Sequence, residues 1–169
     1  GDNDPPTISE IDDVMIAEDG MAGPIPFQVD DPETPDHLTV QFAVAGADDP
    51  LLLPEDSITL DGSGQNRTLT IRPADNRSGT ATITLTVADP EDLTGTTSFH
   101  LTVTPVNDEP TVSPIVNPEI DEDHATAPLA FTVADVESTP DLLTVTVESE
   151  NPVLVPPDRE ALGLLPPLH

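Results

Sequence analysis

Carboxylates and carboxamides recur in short phrases along the chain: NDPP at 3–6, AEDG at 17–20, VDDPE at 29–33, ADN at 74–76, ADPED at 88–92 and VNDEP at 106–110. Their side chains offer mainly oxygen, the donor a hard cation prefers. Calcium takes six to eight such oxygens from carboxylates, amide carbonyls and backbone carbonyls in flexible geometry. Asn and Asp in a short linker supply them without bulk, and Glu can chelate with both of its own. The same residues also build turns through side-chain to backbone bonds, so one phrase alone is a turn signal. Repetition and joint placement carry the metal reading.

The overall charge points the same way. The chain has 33 acidic residues against four basic ones, all Arg, for a formal net charge of −29. A phosphate-binding surface needs clustered Lys or Arg, so nucleic acid is excluded as a partner. Anionic membranes are disfavoured for the same reason, and no apolar run is long enough to insert in one. Charge this one-sided destabilises a compact state unless cations screen or bind it. A surface made acidic for solubility or salt tolerance is the plainer alternative.

The phrases need elements to hold them. With 21 prolines, long helices are ruled out and short elements joined by turns are favoured. The chain has no Trp, no Tyr and no Cys, so the core must come from Val, Leu, Ile, Ala and four Phe. Strict alternation marks strands. In 80–87 it points Ala81, Ile83, Leu85 and Val87 inward, and in 98–103 Phe99, Leu101 and Val103. In 38–45 the inward set is Leu38, Val40, Phe42 and Val44. Leu69 and Ile71 in 67–71, and Ile25, Phe27 and Val29 in 25–29, complete it. Short strands are expected at 7–11 and 57–60, with a Gly-rich hairpin turn at 61–66. About seven strands with turns between them predict a Greek-key β-sandwich.

The pattern then starts again. Asn3, Asp4, Pro6 and Thr7 align with Asn107, Asp108, Pro110 and Thr111, all 104 positions later. At the same offset Glu18-Asp19 meets Glu122-Asp123, and PFQVDDPE at 26–33 meets AFTVADVE at 130–137. This predicts a tandem all-β array, with a complete repeat at 1–106 and a second at 107–169 that lacks its last strands. The tail from about Asp158 is expected to pack poorly. Gly1 begins inside a repeat phrase, which suggests a piece of a longer protein.

Strand reversal sorts the acids between two poles. Glu18, Asp19, Asp75 and Asn76 fall at the exit end of the first repeat. Asn107 and Asp108 in the linker, and Asp135 and Glu137 in the next unit, would join them in a calcium site between repeats. Asn3, Asp4, Asp31, Glu33, Asp89 and Glu91 fall at the other pole as an N-terminal half-site. Bare, these carboxylates would repel; a divalent ion resolves that.

TVTPVNDEPTV at 102–112 resembles the linker of bacterial cadherin-like and Ig-like tandem repeats found in large secreted or surface-anchored proteins, including repeats-in-toxin-type adhesins. FQVDDPE at 27–33, GSGQNRT at 62–68 and SGTATITLTVAD at 78–89 resemble further elements of those repeats, and the resemblance covers nearly all of 3–156. It implies an extracellular sandwich array stiffened by calcium, and Glu18, Asn107, Asp108, Asp135 and Glu137 match cadherin ligand positions. The linker departs in carrying Glu109. The cadherin DRE site is reduced to Asp75-Asn76, and Asp158-Arg159-Glu160 stands at a different place in the repeat.

No catalytic constellation is apparent. There is no Cys nucleophile, the four His show no paired spacing, and GSG at 62–64 is no nucleophile elbow. The expected function is a non-enzymatic extracellular stalk unit, with neighbouring repeats as partners. The alternatives are a module that binds surface proteins or glycans, and an accessory domain of a secreted enzyme. Glycan binding is weakened by the lack of Trp and Tyr platforms.

Overall fold

Alternation decides the centre of the first unit. Ala81, Ile83, Leu85 and Val87 are buried, while Thr82, Thr84 and Thr86 sit half-buried on the opposite face of the same strand. A computed structural model describes residues 2–155, and the chain divides into two compact units, 1–106 and 107–169.

Eight strands build the first unit. They are β1 (Thr7–Ile8), β2 (Val14–Ala17), β3 (Ala22–Asp30), β4 (Thr39–Ala45), β5 (Ile58–Ser63), β6 (Asn66–Ile71), β7 (Gly79–Ala88) and β8 (Thr94–Thr104). One sheet runs β1-β3-β6-β5 and the other β2-β8-β7-β4. All pairings are antiparallel except β2 with β8, which is parallel. The core lies between the sheets, where Leu52, Leu69, Ile71, Ile83, Leu85 and Leu101 are fully buried.

The first strand differs from the one expected at 7–11. Only Thr7–Ile8 joins β3; the chain then crosses to the other sheet, and Val14–Ala17 pairs with β8. Ile11, buried at the crossing, anchors the switch. The hairpin at 61–66 is tighter than expected: Ser63 pairs directly with Asn66, leaving Gly64-Gln65 as the loop. Gly64 takes φ 58°, the positive value that a glycine-led two-residue hairpin needs. Phe42 and Val44 point inward, opposite Leu85 and Ile83, yet each is 37% exposed. They stand on an edge strand whose flank is open.

In the second unit, β9 (Thr111–Val112) pairs antiparallel with β10 (Val133–Ala134), and a single 3-10 turn covers Pro140–Leu142. The register repeats the first unit: Thr7 opposite Asp30 becomes Thr111 opposite Ala134. The segment 142–145, which aligns with the start of β4, forms no strand. In the first unit β4 needs β7, β3 needs β6 and β2 needs β8. Among the described residues of the second unit none supplies those partners, so Leu142, Val147 and Leu129 remain exposed. The tail from Asp158 and the Asp158-Arg159-Glu160 triplet lie outside the described residues.

Leu69, opposite Ile25 and Leu60 and fully buried, sets a scale for the core. Leu69→Ala is expected to cost about 2–5 kcal/mol, through lost transfer energy and a residual cavity. Phe42→Ala, at the open edge, should cost less than half as much. Urea unfolding followed by circular dichroism measures both.

Candidate cation sites

The N-terminal pole is assembled by the segment before β1, the β3–β4 turn and the β7–β8 turn. Asp31 leads the β3–β4 turn. Its Oδ1 accepts the N–H of Glu33 at 3.0 Å, the N–H of Thr34 at 2.5 Å and the Thr34 hydroxyl at 3.0 Å. This Asp-led turn is a local motif that needs no distant strand. Asp31 is only 1% exposed, and its Oδ2 is buried with no hydrogen-bond partner. Burial pushes its carboxyl up, but the hydrogen bonds from Thr34 and Glu33 together hold it below the usual carboxylate range.

Asp89 does the same in the β7–β8 turn. Its Oδ1 accepts N–H groups of Glu91 and Leu93, each at 2.9 Å. Its Oδ2 accepts the Asn3 side-chain amide at 2.6 Å, and Asp89 is buried. The next residue, Asp4, donates its N–H to Glu33 at 3.4 Å. Asn3-Asp4 therefore spans the two turns. Gly95 permits this course, because an added β-carbon there would run into the Pro6 carbonyl oxygen. All six residues expected at this pole thus share one hydrogen-bonded cluster, Asn3, Asp31, Glu33 and Asp89 through their side chains and Asp4 through its N–H. Glu91 contributes its N–H, and its side chain is exposed.

The opposite pole of the first unit holds Glu18, Asp19, Asp75 and Asn76. Glu18 is buried and its Oε1 accepts the Val106 N–H. Asp19, at φ 61°, accepts the N–H of Asn76 at 2.8 Å, and Asn76 itself stands at φ 55°. Asp75 shares that turn with its side chain exposed. The β2–β3 turn, the β6–β7 turn and the end of β8 are thereby tied together.

The second unit repeats the N-terminal arrangement. Asp108 donates its N–H to Glu137 at 3.0 Å, as Asp4 does to Glu33. Asp135 Oδ1 accepts the N–H groups of Glu137 and Ser138 at 3.2 and 2.6 Å. Asn107 donates its side-chain amide to the Asp108 carbonyl oxygen at 2.9 Å.

The donors at both poles are oxygens, as calcium requires. Among the described residues no three Asp, Glu or His side chains stand together ready to hold a metal. The carboxylates are turned instead toward N–H groups. To serve an ion, Asn3 would have to release Asp89 and present its carbonyl oxygen, whereas Asp31 Oδ2 already has no other partner.

Two facing sheets with the first strand divided between them, and turns at two opposed poles, define an immunoglobulin-like β-sandwich. Residues 3–104 match the family described as "Bacterial Ig domain", and the chain belongs to it. Comparison with curated proteins gives no match. Domains of this family are commonly extracellular or at the surface. No helix among the described residues is long and apolar enough to cross a membrane.

The sequence missed what separates the members of each set. Asp31 and Asp89 are buried where each leads its turn and Glu18 where it meets the exit of β8, whereas Glu91 and Asp75 are exposed within theirs. The DP-led turns at Asp31 and Asp89 were the available signal.

A pH titration tests the Asp31 environment. Its folded pKa is lowered, so its stabilisation is fully present above the ordinary aspartate pKa of about 3.9. It is lost as pH falls through the folded value. In metal-free buffer, wild type should lose stability relative to Asp31→Asn as the pH drops below about 4. Urea midpoints of the two proteins between pH 6 and pH 2 would show the gap closing. A constant gap would contradict the assignment.

Proposed function

We propose that the chain is a structural spacer module of a large surface or secreted adhesin-like protein, stiffened by calcium. The observation that carries this reading is the buried, unpartnered Oδ2 of Asp31, at the pole where Asn3, Asp4, Glu33 and Asp89 also lie. A charged oxygen taken out of water is costly unless it gains a partner, and a cation is the partner this composition favours. Asn3, Asp31, Glu33 and Asp89 would hold the ion, which supplies fixed positive charge and no chemistry beyond that. Asp4 and Glu91 complete the set in the second coordination sphere or through water.

The proposal extends to Glu18, Asp19, Asp75 and Asn76 in the first unit and to Asn107, Asp108, Asp135 and Glu137 in the second. The peptide bond from Val106 to Asn107 links these two sets. Calcium in each set would stiffen the unit that holds it, which suits a stalk whose partners are neighbouring repeats. Stability in such arrays is a sum of unit and junction terms, so ions bound unit by unit would add along the whole.

Sites of this extracellular type bind at roughly 10⁻⁴–10⁻³ M. At tenfold excess over the dissociation constant, mass action adds about 1.4 kcal/mol. For a unit of this size that is a rise in Tm of about 5–10 °C. With no Trp or Tyr, scanning calorimetry is the suitable measurement, in 10 mM calcium, in 10 mM magnesium and in excess chelator. A calcium-specific rise that Asp31→Ala and Asp89→Ala abolish is the expected result. A melt indifferent to calcium would reduce the acidic phrases to turns.

A further inference from the structure

The rim of the first unit holds four edge strands, and one of them is unprotected. β1 has two residues; β2 has four and is preceded by Asp12 and Asp13; β5 carries Asp61. β4 has seven residues, Thr39–Ala45, with no charge, no proline and no irregularity in its register with β7. Natural sheets blunt such edges with charge, proline or bulges, because unpaired N–H and C=O groups template another strand. Every residue of β4 except Val40 is exposed. The inward-facing Phe42 and Val44 are each more than a third uncovered. At the Val40 end of the strand a cleft of about 150 Å³ opens between β4 and β5, lined in part by Phe27, Val40 and Leu60.

Charge selects the occupant. Asp36 precedes β4, Asp48 follows it, and Asp61 faces it across the cleft, all three exposed. The nearby cations are engaged. Arg67 donates to the carbonyls of Gly64, Gly62 and Leu38, and Arg77 pairs with Asp49 at 3.1 Å. A second copy would bring its own −29 charge against this rim. We infer that the free edge of β4 accepts an extended cationic segment of another protein by strand addition. Main-chain bonds to β4 would hold it, alternate apolar side chains would cover Phe42 and Val44, and Lys or Arg would meet the acidic rim. Strand addition of this kind draws affinity from the backbone and specificity from alternate side chains. The acidity then has a second effect, since it keeps the bare edge from pairing with itself.

The test uses the full chain labelled with ¹⁵N and a synthetic nine-residue peptide alternating valine with lysine or threonine. Two twins of the peptide serve as controls, one with glutamate for lysine and one N-methylated at alternate residues. Saturable shifts of the Thr39–Ala45 amides are expected. Both twins should bind at least tenfold more weakly, and Val44→Lys should weaken the parent peptide about tenfold. The N-methylated twin leaves the protein untouched, so its result stands even if Val44→Lys perturbs folding. Shifts confined to the acidic turns, or indifferent to N-methylation, would reduce the effect to bare charge and overturn the proposal. So would absence of binding. Self-association through β4 in sedimentation, blocked by Val44→Lys, would also overturn it by naming a second copy as occupant. None of these readings requires calcium, so this experiment and the calorimetry fail independently.

Discussion

Mutual repulsion among carboxylates constrains everything else in this chain. With 33 acids and four arginines, ion pairing inside the protein cannot neutralise the surface, and among the described residues only Arg77 and Asp49 pair. The structure answers with backbone N–H groups. Asp31, Asp89 and Asp135 each lead a turn whose amides converge on one carboxylate oxygen. Such charge-assisted bonds are roughly twice as strong as neutral ones. They hold individual charges but leave the net charge unchanged. The remaining repulsion is left to screening by solvent ions and, on the proposed reading, to a divalent ion at the poles.

The divided first strand makes those poles. Because β1 joins β3 and β2 joins β8, the N-terminal segment touches both sheets. Its start places Asn3 on the β7–β8 turn and Asp4 on the β3–β4 turn. Its end delivers Glu18 to the exit of β8, where Thr104 O accepts the Glu18 N–H and the Glu18 carboxylate accepts the Val106 N–H. Without the crossing to β8, Glu18 would not reach this exit. The crossing thus serves packing, through Ile11, and serves the placement of oxygens at either end.

Much of this was legible in the residues, and the failures have physical causes. TATITLTV alternates perfectly, and its strand and inward face follow from side-chain period alone. The pole assignment followed from counting strand reversals. VMIA at 14–17 gave no comparable signal, since a four-residue edge strand flanked by acids depends on its parallel partner β8, far away in sequence. Phe42 shows a different limit. Its phase was readable, but exposure is set by whether the facing sheet reaches that far, which no local pattern encodes. Among the site residues, Asp31 and Glu91 look alike as letters, and only the packed fold buries one and exposes the other.

The two units separate what is local from what is not. The second unit keeps the Asp135 turn, the Asp108–Glu137 bond and the β9–β10 register, although the alternating segment at 143–147 stays outside any ladder. The bonds of the Asp135 turn span two or three residues and close with little loop entropy, whereas the Asp108–Glu137 bond spans 29 residues and carries a closure cost of the kind strand pairing carries. The Asp-led turn is therefore set by its own short phrase, and the bond that ties Asp108 to it, like the sandwich, by distant ones. What the second unit shares with the first at this pole is thus local in the turn and long-range in the tie from the segment before β9.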